Sequence, residues 1–364
     1  MTSIDWSSLS PDLLHIICSK LIDIGDFVHV RAVCKAWHSS ASLPDPSSRL
    51  PWILVNRESR ETGHLQFYSL FSGSTYTVHV QQASDAWIFR ATRSSLLLCK
   101  GREASLSLLN PFVAKETSLP PLKGKIRYPF PRTIVRNPVI NKDQIMIMSH
   151  PSGESGRRTL SLVTSRPTDG DWTVTELNGT YKRFGEWTYY NGMCFAIQTL
   201  DGCMMVSDPV TGNLVSKIPD FKRRDNGVFQ DYLVESGGKL LRIGIENSKN
   251  IEQLSLDVYV LDVQEERYRW LEIEDIDNHI LFLDKGGGFC LTSSEFHGIR
   301  GNCIYFFSHQ VEMNSEILNV SLITDNNYPR TRSNRPFLDP GTVCGPMMSE
   351  IELTITSGGF RKNI

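Results

Sequence analysis

The sequence has no run of about 18 or more apolar residues, the length a membrane-crossing helix needs, so no such helix is expected. No basic region precedes an apolar stretch at Met1-Thr2-Ser3-Ile4-Asp5, which argues against secretion. Charge imbalance is missing too. The 38 Lys and Arg residues nearly match the 40 Asp and Glu, and a net charge of -2 recruits neither nucleic acid nor an anionic membrane. The eight cysteines, at 18, 34, 99, 194, 203, 290, 303 and 344, include no C-x-x-C pair, so buried free thiols are expected rather than bridges or a zinc site. Asn178-Gly179-Thr180 and Asn319-Val320-Ser321 match the glycosylation triplet but mean little without a secretory route. Residence in the cytoplasm or nucleus is the resulting expectation.

Catalytic signatures are equally scarce. Asp284-Lys285-Gly286-Gly287-Gly288 is glycine-rich but lacks the Gly-Lys-Ser/Thr ending of a phosphate cradle, and reads as a tight loop before the strand Phe289-Cys290-Leu291. His297 lies near Arg300 and Cys303, but a blade loop and a strand explain these positions. The histidines at 64, 79, 150, 279 and 309 stand apart in the sequence, and no H-E-x-x-H is present. Lys222-Arg223-Arg224 reads as a solvated loop. Accordingly no catalytic residue, cofactor or metal site is expected.

What the sequence does contain begins with two short apolar stripes at helical spacing. Leu13, Leu14, Ile17 and Leu21 form the first, and Val30, Val33, Cys34 and Trp37 the second. Ser10 is placed to cap the first helix, Pro11 suits its first turn and Asp12 favours its positive end. That helix should stop near Ile22-Asp23-Ile24-Gly25, after which Asp26 opens a second segment running through Trp37. A unit of about 40 residues has little core of its own, so it needs the body or a partner to cover its apolar surface.

A stiff connection follows at Leu43-Pro44-Asp45-Pro46 and Leu50-Pro51. Beyond it, strand-turn-strand signals return at intervals of roughly 40–55 residues. Leu65 to Val80, Leu106 to Leu119, Leu160 to Val174, Met204 to Ile218, Leu256 to Ile273 and Asn302 to Phe307 mark the units, several around Asn-Pro or Asp-Pro turns. Four-stranded blades of about 50 residues suit this spacing, giving a β-propeller of six blades, or seven if some are compact. A pair of β-sandwiches is the structural alternative. Closure would pair a strand near 51–56 or 65–70 with Glu350-Ile351-Glu352-Leu353-Thr354-Ile355, while 326–341 reads as loop. Aromatic and arginine-rich turns at 127–132, 181–189 and 221–229 are candidate recognition segments, although Trp187, Tyr189 and Phe195 serve equally as blade core.

The stretch Leu9-Ser10-Pro11-Asp12-Leu13-Leu14, with Ile17 and Leu21 and then Arg31-Ala32-Val33-Cys34-Lys35-Ala36-Trp37, resembles an F-box. Ser10 stands where that motif commonly has proline. The body, above all Ser294-Glu295-Phe296-His297-Gly298-Ile299-Arg300-Gly301-Asn302-Cys303-Ile304-Tyr305-Phe306, is similar to the kelch-like propeller of KIB-type plant F-box proteins. The resemblance implies a small all-α F-box module, residues 1–45, followed by an all-β propeller, residues 46–364. It implies docking on a Skp-type adaptor of a cullin–RING ubiquitin ligase by Leu9, Pro11, Leu13, Leu14, Ile17, Val33, Cys34 and Trp37, with Trp37 equally suited to the module's own core. The propeller would then hold an unknown protein substrate, as the non-catalytic receptor subunit of an SCF-type ligase. Two rivals stand beside this: an F-box scaffold that binds without degradation, and a propeller enzyme whose acid/base or metal residues the sequence does not display.

Overall fold

In the computed structural model the described residues are 6–21, 24–41, 52–54, 63–69, 74–91, 95–101, 105–112, 115–122, 135–141, 144–149, 160–179, 184–199, 201–220, 229–246, 255–264, 267–284, 287–295, 301–312, 315–324, 351–356 and 359–362. Helices α1 (Pro11–Lys20), α2 (Ile24–Ala32) and α3 (Lys35–Ser40) precede a body of strands. The first sheet has β1 (Trp52–Leu54), β2 (His64–Ser69) and β3 (Ser74–His79); the second has β4 (Ala86–Ala91), β5 (Leu96–Lys100), β6 (Ser105–Asn110) and β7 (Lys115–Ser118). The third holds β8 (Val135–Asn141), β9 (Gln144–Ser149), β10 (Leu160–Ser165) and β11 (Thr173–Leu177); the fourth β12 (Phe184–Tyr190), β13 (Met193–Gln198), β14 (Met204–Ser207) and β15 (Leu214–Ile218). The fifth holds β16 (Phe229–Ser236), β17 (Lys239–Glu246), β18 (Ser255–Gln264) and β19 (Arg267–Glu272). The sixth gathers β20 (His279–Asp284), β21 (Gly287–Thr292), β22 (Cys303–Glu312), β23 (Ser315–Thr324), β24 (Ile351–Thr356) and β25 (Gly359–Lys362).

Six sheets in chain order, mostly antiparallel four-stranded meanders, are the blades of a six-bladed β-propeller. The sixth departs from the meander: its order is β21-β20-β22-β23-β24-β25, and β20 pairs with β22 in parallel. The chain divides into two compact units, Met1–Lys100 with Ser107–Thr117, and Gly101–Leu106 with Ser118–Ile364. The three helices share the first unit with the first sheet and most of the second.

Burial on both faces of the fourth and fifth sheets explains the sequence of their central strands. In β13, Cys194 and Ala196 pack with Met146, Met148, Leu160 and Leu162 of the third sheet, whereas Phe195 and Ile197 face Leu233, Leu240 and Tyr259 of the fifth. A strand buried on both sides reads as an unbroken apolar run rather than an alternating one. The next core joins Tyr232, Val234, Leu241 and Ile243 of the fifth sheet to Leu281, Leu283 and Ile304 of the sixth. Within the first unit, Leu65 and Phe67 meet Leu96, Leu98 and Leu109 in the same way.

Turn chemistry sets the register. Asn191 (φ +45°) and Gly192 (φ +82°) join Tyr190 to its partner Met193 in a two-residue hairpin that needs two positive φ values. Gly237 and Gly238 do the same between Ser236 and Lys239. In the Asp208-Pro209 turn, the Asp208 carboxylate accepts the N–H groups of Val210 and Thr211, which holds its pKa below the usual carboxylate range. Of the glycine-rich run, Asp284 closes β20 and pairs with Gly287, which opens β21. A Cβ at Gly288 would stand 2.5 Å from the Val234 side chain, so packing against the fifth sheet demands that glycine.

One expectation about closure fails. β24, covering most of the segment expected to pair with an early strand, is bonded to β23 and β25, and β1 is bonded to β2. The expected loop at 326–341 lies outside the described residues.

The largest polar feature of this interior is Arg242 on β17, which is 1% exposed. Its Nε donates to Asp231 Oδ1 on β16 at 3.1 Å, and its Nη1 to Asp220 Oδ1, just beyond β15, at 3.4 Å. Removing the cation leaves two nearly buried carboxylates facing each other, so Arg242→Ala is expected to cost about 3–5 kcal/mol. Arg269→Ala, which removes the exposed partner of Asp262, is expected to cost less than about 1 kcal/mol. Urea denaturation followed by tryptophan fluorescence measures both, and equal midpoints for the two variants would contradict the assignment.

Candidate functional site

Helix α1 begins as its sequence dictates. Ser10 Oγ accepts the Leu13 N–H at 3.4 Å, Pro11 fills the first position, and Asp12 and Lys20 sit at the ends that their charges favour. The helix stops earlier than expected, with Leu21 as its C-cap, and Ile24 and Gly25 open α2 instead of closing α1. The reason for Gly25 is packing: a Cβ there would lie 2.8 Å from Cζ and Oη of Tyr76 on β3. The second segment expected through Trp37 is two helices. α2 ends at Ala32, and Cys34, in extended backbone (φ −160°, ψ 169°), caps α3 by accepting the Trp37 N–H on Sγ at 3.4 Å.

The expected docking residues separate into two sets. Leu14 is 1% exposed and forms the helical core with Cys18, Phe27 and Ala41; Leu9 and Trp37 pack half-buried against it. The Trp37 indole N–H donates to the Trp6 carbonyl at 3.0 Å, which ties α3 to the segment before α1. Cys34 is half-buried at its cap. Pro11, Leu13, Ile17 and Val33 are exposed, the last three at 51%, 40% and 58%. Two further apolar side chains were not singled out in the sequence: Ile16 at 55% and Trp6 at 62%. Leu13, Ile16 and Ile17 follow an i, i+3, i+4 pattern, so they share one face of α1, and that spacing was the signal available for Ile16. The adjoining side of the helix carries the helical core through Leu14 and Cys18.

The other sequence candidates fall elsewhere. Trp187 and Phe195 are buried blade core and Tyr189 packs on the same core, so these rings hold sheets together. The segments 127–132 and 221–228, residues 181–183, Lys222-Arg223-Arg224, His297 and Arg300 lie outside the described residues. Cys303 is buried on β22, and its Sγ–H donates to the Gly301 carbonyl. Asn302 of the late motif has φ +57° and its Oδ1 accepts the Ile276 N–H at 2.9 Å, a structural clamp on the turn before β20. The seven described cysteines are free, and burial pushes the Cys99 and Cys194 thiols up to about 12, far from a reactive thiolate. Among the described residues no group of three or more His, Cys, Asp or Glu side chains is placed to hold a metal ion, and no helix is long and apolar enough to cross a membrane.

Comparison with known proteins decides the family. The profile of the KIB1-4 beta-propeller family matches residues 67–330. The chain belongs to this family. An Arabidopsis thaliana putative F-box/kelch-repeat protein is 24% identical over 92% of this chain and 95% of its own length. A putative F-box protein of the same plant is 22% identical over 86% of this chain and 90% of its own. Among solved structures, the beta-propeller domain of Cps50 (Swd1) from Myceliophteria thermophila is similar at 12% identity and a TM-score of 0.34, over 83% of this chain and 91% of that one. This plant-type F-box/kelch-propeller family member carries its most exposed apolar helical residues in the helices that precede the propeller strands in sequence.

The division within α1 gives an expected outcome. Leu14→Ala opens a cavity under the helices and should cost about 2–5 kcal/mol. Leu13→Ala, one residue away and exposed, should stay within about 0.5 kcal/mol. Amide hydrogen exchange across α1 reads the difference; equal protection in both variants would contradict the placement of Leu14.

Proposed function

We propose that this chain is the substrate-receiving subunit of an SCF-type cullin–RING ubiquitin ligase. The observation that supports this reading best is the pairing of a small buried core, Leu14, Cys18 and Phe27, with Leu13, Ile16, Ile17 and Val33 held in water on the same few turns of helix. Apolar side chains of this size gain about 1–3 kcal/mol each when a partner covers them, and they are unlike the polar surface a self-sufficient cap would carry. The relatives named F-box proteins support adaptor binding by this segment. On this reading residues 1–45 form the adaptor-binding module, with Leu9, Leu14, Cys34 and Trp37 behind a surface made by Pro11, Leu13, Ile17 and Val33. Residues 46–364 hold a protein target, in the cytoplasm or nucleus.

The chain itself supplies no reacting group in this mechanism. It acts by proximity, raising the local concentration of target lysines at a ubiquitin-loaded enzyme carried elsewhere in the complex. Stiffness between module and propeller therefore matters to output.

Quantitative co-purification with a Skp-type adaptor tests the reading. Wild type should bind, and Ile17→Asp with Val33→Asp should lose at least about tenfold in affinity, the effect of burying charge at central anchors. Both positions are exposed, so the double variant should keep the wild-type melting temperature. Failure of folded wild type to bind, or full binding by the folded double variant, would sink the proposal.

A further inference from the structure

His64 and His79, separated by 15 positions in the sequence, are directly opposite each other across β2 and β3. Their ring centroids lie 4.8 Å apart with planes tilted by 49°. Both residues are exposed. Leu65, Phe67 and Val78 turn the other face of the same two strands into the first unit's core, so the imidazoles stand on the face opposite that core. Among the described residues no hydrogen bond engages either ring.

The backbone beneath the pair is fixed. Gly63, immediately before His64, accepts on its carbonyl the N–H of Val80, immediately after His79, at 2.8 Å. Gly63 has φ +66°, and a Cβ there would press on the Val80 carbonyl at 2.6 Å, so the strand ends close tightly just outside the two rings. Two ligands on paired strands, locked at the adjoining position, lose little freedom on binding a shared ion.

A transition-metal ion takes a neutral imidazole nitrogen at about 2.0–2.1 Å, so two such ligands on one ion place their nitrogens roughly 3–3.5 Å apart. Rings with centroids at 4.8 Å reach that separation by side-chain rotation. Imidazole favours Zn(II), Cu(II) and Ni(II) over the oxygen-seeking Mg(II) and Ca(II). We propose that His64 and His79 form a two-histidine chelate for a divalent transition-metal ion on the first blade, with water completing the coordination. The site is independent of the adaptor-docking reading.

Zinc is the probe. Full-length protein freed of metal with EDTA and titrated calorimetrically with Zn(II) should show a saturable site. Its affinity should fall about a hundredfold in His64→Gln and equally in His79→Gln, because each removes the second tethered ligand. His29→Gln, on the exposed part of α2, should bind as wild type does. Melting curves in EDTA establish that the variants fold. A second measurement needs no variant: Zn(II) should protect His64 and His79 together from diethylpyrocarbonate while leaving His15, His29 and His38 reactive. Wild-type zinc affinity retained by both glutamine variants, or protection that does not include the pair, would overturn the proposal.

Discussion

The fourth and fifth sheets depend on one constraint: both of their faces must be buried by their neighbours. The β13 strand shows it most simply, giving Cys194 and Ala196 to one interface and Phe195 and Ile197 to the next. No blade is stable alone under this arrangement, since lifting one exposes two cores. Two polar side chains of the interior show how a buried polar group is partnered. Arg242 is held by Asp231 and Asp220, and burial, with Asp257 adding to it, pushes the pKa of the cross-strand neighbour Tyr259 upward so that its hydroxyl stays neutral. Trp172 meets the same requirement by donating its indole N–H to the Pro120 carbonyl at 2.7 Å.

The blade count was legible because one part of each blade advertises itself. Leu160 to Val174 and Met204 to Ile218 are third and fourth strands joined by turns whose Asp-Pro or Pro-Thr-Asp-Gly chemistry is local. First and second strands were harder to read. Their hairpins did carry signals, Asn191-Gly192 and Gly237-Gly238, but a second strand such as β13 is apolar on both faces and lacks the alternation that marks a half-buried strand. The parallel pairing of β20 with β22 and the placing of β24 in the sixth sheet were not legible at all. Pairing partners distant in sequence are chosen by tertiary packing, and nothing local records that choice.

The same limit divides the functional residues. Caps and helix starts are local, so Ser10, Pro11 and Asp12 were readable in advance. Leu13 and Leu14 were not separable: both belong to one apolar stripe, and only the position of α3 and Phe27 decides which of them turns inward. Gly25 misled for a related reason. Glycine after an apolar helix usually signals an end, yet here it starts the next helix because the Tyr76 ring occupies the space a side chain would need. His64 and His79 were read as isolated, and strand register alone makes them a pair.

The Gly25–Tyr76 contact has a consequence for the receptor reading. A helical module tied to a propeller only by the proline-rich stretch at 43–51 would sample many directions, and the local concentration it gives a bound target would be diluted over all of them. Seating α2 on the Tyr76 ring adds a second attachment, on a strand whose opposite partner Phe67 lies in the core shared by the first two sheets. The ring tip lies against Gly25, where an added Cβ would stand 2.8 Å from its Cζ and Oη. Within the first unit, the direction of α2 against β3 is then set by packing. Under the proposed receptor function, such a seat would hold the exposed apolar face of α1 in a set direction relative to the first sheet, within the first unit.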